Sequence, residues 1–303
     1  MASPAPDRSR GAADLALLAT VAFLSVGLLA PWLWFAGALQ ALWVHLGLAG
    51  VVVVAWAHLA GRGRPHRSRL PALYVLAVLT ALLSIAWPPT QTEGPPDLVI
   101  VAWNAHASDR DPAVPLAGLA DSGADVLVIT ELTPHWHRAI STLPGFPYQV
   151  AAPADGPHGT GLYARYPLVD AVVLEHLPDW PRQTVLATVV HPKRPVRIAG
   201  LHTPSPLSPE RPTRATEMSQ AVQGADVIAG DLNMTPWMTA FRTLRSSRHS
   251  AGGCHGTWPG RLAPIGLPLD HVLVAPDLGV SGFTVGPTWG SDHHAVTAEL
   301  VLR

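Results

Sequence analysis

The chain has 303 residues, of which 48% are hydrophobic and 14% charged, with a mean hydropathy of +0.24. Soluble domains carry about 25% charged residues, so a wholly soluble protein is not expected, and the single cysteine, Cys254, excludes an intrachain disulfide or a cysteine-cluster zinc site. The net charge of −1 divides into +4 over residues 1–90 and −5 over residues 91–303, and an acidic larger part lacks the basic footprint of a general nucleic-acid binder.

Residues 1–13 form a polar tail carrying Arg8 and Arg10. Three apolar stretches follow within residues 14–87, over 14–40, 41–60 and 70–87. A membrane-spanning helix needs about 20 predominantly apolar residues, so three transmembrane helices are predicted. The first run is too long for a signal peptide, and two more follow it at once. Arg62, Arg64, Arg67 and Arg69 lie in the second connection, whereas the first, around 31–37, has no charge. Basic residues mark the cytoplasmic side. The tail and second connection are therefore expected inside, and everything after Trp87 outside. Trp32, Trp34 and Trp43 suit an outer interfacial belt, and Trp43 equally suits a packed helix. Pro-rich residues 88–96 read as a linker.

Beyond the linker, residues 97–303 alternate short β-rich runs with loops. Strands are predicted at 98–103, 126–129, 161–164, 185–190, 196–201, 227–229, 271–274 and 295–302. Helices are predicted at 112–122, 134–143, 214–223 and 235–244. Many strands with few helices indicate an α+β domain, two sheets face to face with helices outside. Six apolar runs border polar groups: Asn104, Glu131, His202, Asp231 with Asn233, Asp270, and Asp292 with His293. Buried strands cannot hold unpaired charge cheaply, so these groups are expected to converge where strands emerge from one end of the core.

The motifs at these junctions resemble, in order, those of the endonuclease/exonuclease/phosphatase superfamily. They are Trp103–Asn104, Thr130–Glu131–Leu132, the glycine-led run Gly159–Pro167, Leu201–His202–Thr203, GDLNMTPW at Gly230–Trp237, LDHVLV at Leu269–Val274, and GSDHHAV at Gly290–Val296. The resemblance implies a DNase-I-like four-layer α/β/β/α sandwich. It also implies a Mg²⁺-dependent phosphohydrolase, with Glu131 and Asp292 at the metal and Asn104 supporting the metal or a phosphate oxygen. Asp231 would orient or deprotonate the attacking water, Asn233 would bind the transition-state phosphoryl group, and His202 would donate to a phosphate oxygen or leaving group. His293 would face the phosphate, with Asp270 holding its tautomer. His106 stands where relatives carry an acid; it reads as a phosphate ligand, a ligand to a softer metal such as Mn²⁺, or an unrelated loop residue. Arg165 and Arg182 are candidate phosphate clamps or ordinary surface arginines. His255, His271, His294 and Cys254 read as structural.

Three spans ahead of such a domain resemble the VanJ-type glycopeptide (teicoplanin) resistance proteins. That resemblance implies a multi-pass plasma-membrane protein acting outside on a phosphorylated lipid, of the undecaprenyl-pyrophosphate kind. Leu207, Met234, Trp237, Met238, Ile265 and Leu267 suit a lipid-facing rim, although core packing explains Trp237 better. An external nuclease is the second reading, and the charge of −5 over residues 91–303 weighs against it. A binding protein with a vestigial site is the third, and the intact acids and histidines argue against decay.

Overall fold

A computed structural model describes residues 33–60 and 91–303, except 109, 178–179, 208–210 and 264, together with isolated positions between 15 and 29. The expected tail 1–13 and the apolar stretch 70–87 lie outside these residues. Leu33 is extended (φ −123°, ψ 114°) and precedes helix α1, Trp34–Ala41; helix α2, Trp43–Ala60, follows a one-residue break. Residues 14–40 are therefore not one continuous helix, since the extended Leu33 interrupts the chain just after Pro31. Helix α2 is uncharged over its 18 residues. Among the described residues, no helix is long and apolar enough to cross a membrane.

The rest of the chain forms two six-stranded sheets. The first contains β1 (Leu98–Asn104), β2 (Val126–Thr130), β3 (Tyr148–Ala152), β4 (Thr160–Ala164), β11 (Leu278–Val285) and β12 (Val296–Leu302), in the order β11-β12-β1-β2-β4-β3. The second contains β5 (Leu168–Leu177), β6 (Trp180–Val190), β7 (Pro195–Gly200), β8 (Val227–Asp231), β9 (His249–Ser250) and β10 (Asp270–Val274), in the order β5-β6-β7-β8-β10-β9. Their inner faces meet through Leu98, Ile100, Val126 and Val128 on one side and Val185, Ile198, Val227 and Val272 on the other.

The outer faces are covered too. Helices α3 (Ala113–Asp121) and α4 (Pro134–Ile140) set Leu119, Trp136 and Ile140 against Trp103, Leu127 and Ile129 of the first sheet. Helices α5 (Arg211–Ala221) and α6 (Thr239–Leu244) set Met218 and Phe241 against Ala199, Ile228 and Leu273 of the second. This is the expected four-layer order. Burial on both faces explains why β2 and β10 read as nearly unbroken apolar runs rather than alternating ones. Helix α4 starts where Thr133 Oγ1 accepts the Trp136 N–H at 3.3 Å and Pro134 fills the first turn.

Some elements differ from the sequence expectation. Strands β3, β5, β9 and β11 were not anticipated. The helix expected from residue 235 begins only at Thr239, because a turn containing Pro236 takes the preceding positions. The linker is anchored at its end: Thr92 N–H donates to the Val280 carbonyl of β11 at 2.7 Å, which shortens the free tether.

Candidate active site

Topology brings the polar strand ends together. Strands β1 and β2 run parallel with Asn104 opposite Thr130, so both deliver their C-terminal ends to one side. Strands β7 and β8 also run parallel. Strand β10 runs antiparallel to β8, which sets Asp270 directly opposite Asp231. Strand β12 runs antiparallel to β1, so the residues just before it, Asp292 and His293, arrive at the same end. The turns there are tight. Glu131 and Asn233 have φ of 54° and 47°, a left-handed conformation uncommon outside glycine and frequent at functional sites. Gly230 has φ +135°, and a Cβ there would lie 2.3 Å from the Leu201 carbonyl oxygen.

Asp231 is the hub. Its Oδ1 accepts the Asn233 N–H at 2.8 Å, and its Oδ2 accepts from Asn104 Nδ2 at 3.0 Å and Asn233 Nδ2 at 3.3 Å. The same Oδ2 lies 3.4 Å from His202 Nε2 and 3.8 Å from His293 Nε2. His293 Nδ1 donates to Asp270 Oδ2 at 2.8 Å, so Asp270 orients the ring as expected. Asp270 is itself held in place, since its N–H donates to Thr257 Oγ1 at 3.1 Å. Ser291 Oγ donates to the Asn104 carbonyl at 2.7 Å and accepts the His293 N–H at 3.1 Å, tying β1 to the last motif.

The two histidines are tuned in opposite directions. Burial lowers His202, and the nearby Arg182 charge lowers it further, so its imidazole is neutral near pH 7. Burial also opposes charge on His293, but the carboxylates of Asp270 and Asp231 outweigh it and raise it to about 10. Burial works against ionised Asp231 as well, yet His293 and His202 hold it well below the usual carboxylate range. An anionic Asp231, a cationic His293 and a neutral His202 thus share one buried cluster, the separation of roles expected of a catalytic site.

These groups floor a cavity of about 410 Å³. Glu131, Arg182, His202, Asp231, Asn233, Asp292 and His293 line it, beside apolar Ala38, Ala41, Leu42, Leu207, Leu267 and Leu269. Arg182 is only 9% exposed, and its Nε and Nη1 have no hydrogen-bond partner. Buried donors left unmatched are costly, and an anion in the cavity would satisfy them. Arg165 is not brought here. Strand β4 runs antiparallel to β2, so Arg165 sits at the opposite end of the sheet, where its Nε donates to the Ala124 carbonyl at 2.6 Å and faces Asp125. His106 is exposed in a left-handed turn beside Ser108 and does not line the cavity.

Oxygen donors suited to a hard divalent ion are present. Glu131 and Asp292 both line the cavity. Glu131 accepts from the Ala107 N–H at 2.8 Å and Asn104 Nδ2 at 3.2 Å, and Asp292 Oδ2 accepts from Trp258 Nε1 at 3.0 Å. These carboxylates fit Mg²⁺, which uses few protein ligands and keeps its waters. Asn104 stands between the carboxylates of Glu131 and Asp231. Its Oδ1 accepts the His106 N–H at 2.8 Å, which turns its Nδ2 toward both. Asp231, Asp270 and His293 also offer ligand atoms within 4.8 Å of one another and could hold an ion. One contributor escaped the sequence: Ser291, whose role depends on a contact 187 residues away.

Residues 101–293 match the Endonuclease/Exonuclease/phosphatase family. The chain belongs to this family. Membership makes it a hydrolase of the phosphatase and nuclease kind, in which divalent-metal dependence is general. No curated protein matches the chain. Solved structures share the family fold. An endonuclease/exonuclease/phosphatase from Beutenbergia cavernae is 20% identical, with a TM-score of 0.55 over 68% of this chain and 71% of its own. The 3′ phosphatase NExo from Neisseria, bound to a product DNA hairpin, is 22% identical, with a TM-score of 0.52 over 67% of this chain and 99% of its own. A humanized D. rerio TDP2 is 17% identical, with a TM-score of 0.54 over 67% and 98%.

Proposed function

We propose that the protein is a membrane-anchored, Mg²⁺-dependent phosphohydrolase that acts at the outer membrane face on a phosphorylated carrier lipid of the undecaprenyl-pyrophosphate kind, and so supports glycopeptide tolerance. The observation that carries this reading is the cavity itself: a floor of acids, histidines and one unmatched arginine against an apolar wall. Such a cavity suits a substrate with a phosphate at one end and hydrocarbon at the other.

Within it, the phosphate takes the open donors of Arg182, beside Asn233, whose Nδ2 donates to the Thr203 carbonyl at 3.1 Å. Asp231, held anionic, accepts a hydrogen bond from the attacking water and orients it; its depressed basicity favours positioning over full proton abstraction. His293, held protonated by Asp270 and Asp231, faces charge developing on the phosphoryl oxygens. His202 stays neutral and positions Asn233 through a 3.2 Å contact. When bound at Glu131 and Asp292, a divalent ion supplies charge neutralisation on the phosphoryl oxygens and leaving group.

The contacts of α1 with the catalytic domain support the topology. Gln40 and Ala41 touch Thr239 and Trp237, which is compatible with the N-terminal helices meeting the domain on one side of a bilayer. A nuclease is the second reading, favoured by the DNA-bound NExo structure of the same fold. Against it stand the charge of −5 over residues 91–303 and the apolar wall. The test is a panel: purified full-length protein with a polyprenyl diphosphate, a soluble phosphodiester and duplex DNA, each with and without Mg²⁺. Metal-dependent phosphate release from the lipid is expected. DNA cleavage without lipid turnover would replace the proposal with the nuclease reading.

A further inference from the structure

Part of the apolar wall of the cavity comes from outside the family domain. Residues 101–293 match the family, yet Ala38, Ala41 and Leu42 line the cavity together with Asp231, Asn233 and His293. The segment is locked in place rather than resting loosely. Gln40 is 2% exposed; its Nε2 donates to Thr239 Oγ1 at 3.0 Å, and its Oε1 accepts the Thr239 N–H at 3.0 Å. Trp237 Nε1 donates to the Ala41 carbonyl at 3.0 Å, and His45 Nε2 donates to the Ile265 carbonyl at 2.8 Å. The Trp43 and Trp237 side chains pack together beneath. A buried polar pair satisfied on both sides fixes one register of two surfaces, so the wall stands at a set place beside the catalytic floor.

Leu42 remains 40% exposed, and across the cavity Leu207 remains 70% exposed. Both present apolar surface beside the polar floor. A cavity of about 410 Å³ is in the range that holds a small molecule or one end of a larger one. We propose that the segment Ala38–Leu42 is part of the substrate site: it receives the hydrocarbon chain of a phosphate ester next to the scissile phosphate and makes the enzyme selective for long-chain esters. This rests on the phosphohydrolase reading and adds to it a specificity element contributed by the N-terminal helices.

Chain-length preference tests it. The full-length protein in mixed micelles is given a fifteen-carbon and a five-carbon alkenyl diphosphate, which share the reacting group and differ in apolar length. The ratio of kcat/KM for the two is measured on one preparation, so that the fraction of active protein cancels. The wild type is expected to favour the longer ester by about tenfold or more, from contact with several methylene groups. Leu42→Gln is expected to reduce that ratio by about tenfold, through KM for the longer ester. Leu42→Glu should reduce it at least as far; both esters carry the same diphosphate, so charge repulsion cancels in the ratio and its fall reports lost apolar contact. Equal turnover of both esters by the wild type, or a ratio unchanged in both variants, overturns the role of the wall while leaving hydrolysis intact. No cleavage of either ester in the presence of Mg²⁺ overturns the phosphohydrolase reading and this inference with it.

Discussion

Asp270 and His293 form a pair whose parts make sense only together, because Asp270 reaches the cavity through the 2.8 Å bond to His293 Nδ1. Residues acting as a unit are non-additive on mutation. Asp270→Asn and His293→Ala are each expected to cost nearly what the double variant costs, and steady-state rates of the three variants check this; multiplicative losses would separate the two residues. Arg182 carries a different expectation. In the proposed function its unmatched donors serve a bound anion, and charged hydrogen bonds of that kind are worth about 10- to 100-fold in affinity. Arg182→Ala should therefore raise KM for the phosphate ester by that factor with the melting temperature little changed, whereas a structural arginine would show the reverse. The sequence marked Asp231, Asn233, Asp270 and His293 because acids, amides and imidazoles rarely border apolar strands without a reason. It could not separate Arg182 from Arg165. Arg182 lies in β6 and Arg165 follows β4, and only the antiparallel run of β4 sends Arg165 to the far end of the sheet.

At the scale of elements, strand β10 shows how one short run serves both chemistry and packing. Asp270 begins it at the cavity, and the next residue, His271, turns to the outer face, where its Nε2 donates to the carbonyls of Met234 at 2.7 Å and Pro268 at 2.9 Å. Burial pushes His271 down to about 4. An unfolded histidine takes its proton near pH 6.5, so between these values the unfolded chain binds more protons and stability falls as pH falls. The loss attributable to His271 is about 3 kcal/mol between pH 7 and pH 4. Denaturant midpoints of the wild type and His271→Gln at both pH values check it: the variant should lose less stability on acidification. The runs that became β1, β2, β8 and β10 were legible because burial on both faces makes them nearly continuously apolar, and β12 because its burial alternates along the strand. Strand β3 was not, since Tyr148 and Gln149 are exposed and its five residues carry a weak pattern. The helix after GDLN was expected too early because apolar Met234, Trp237 and Met238 imitate a helical face, while Pro236 keeps them in a turn.

For the whole molecule, the family domain and its site were readable from motif order, but the join to the N-terminal helices was not. No local pattern announces that Gln40 pairs with Thr239, since such a pair exists only after both segments have folded. The arrangement of arginines underlies the proposal that the domain lies outside the cell. A reporter active only in the cytoplasm, fused after Arg303, is expected to stay silent, and strong activity would reverse the topology. The central claim is that this cluster hydrolyses a lipid-borne phosphate with Asp231 orienting the water. The most direct measurement is phosphate release from a polyprenyl diphosphate by the purified full-length protein with Mg²⁺, for the wild type and for Asp231→Ala. Release that stops with chelator and falls by about 10²–10⁴-fold in the folded variant is the predicted result. Release that ignores both chelator and the substitution would contradict it.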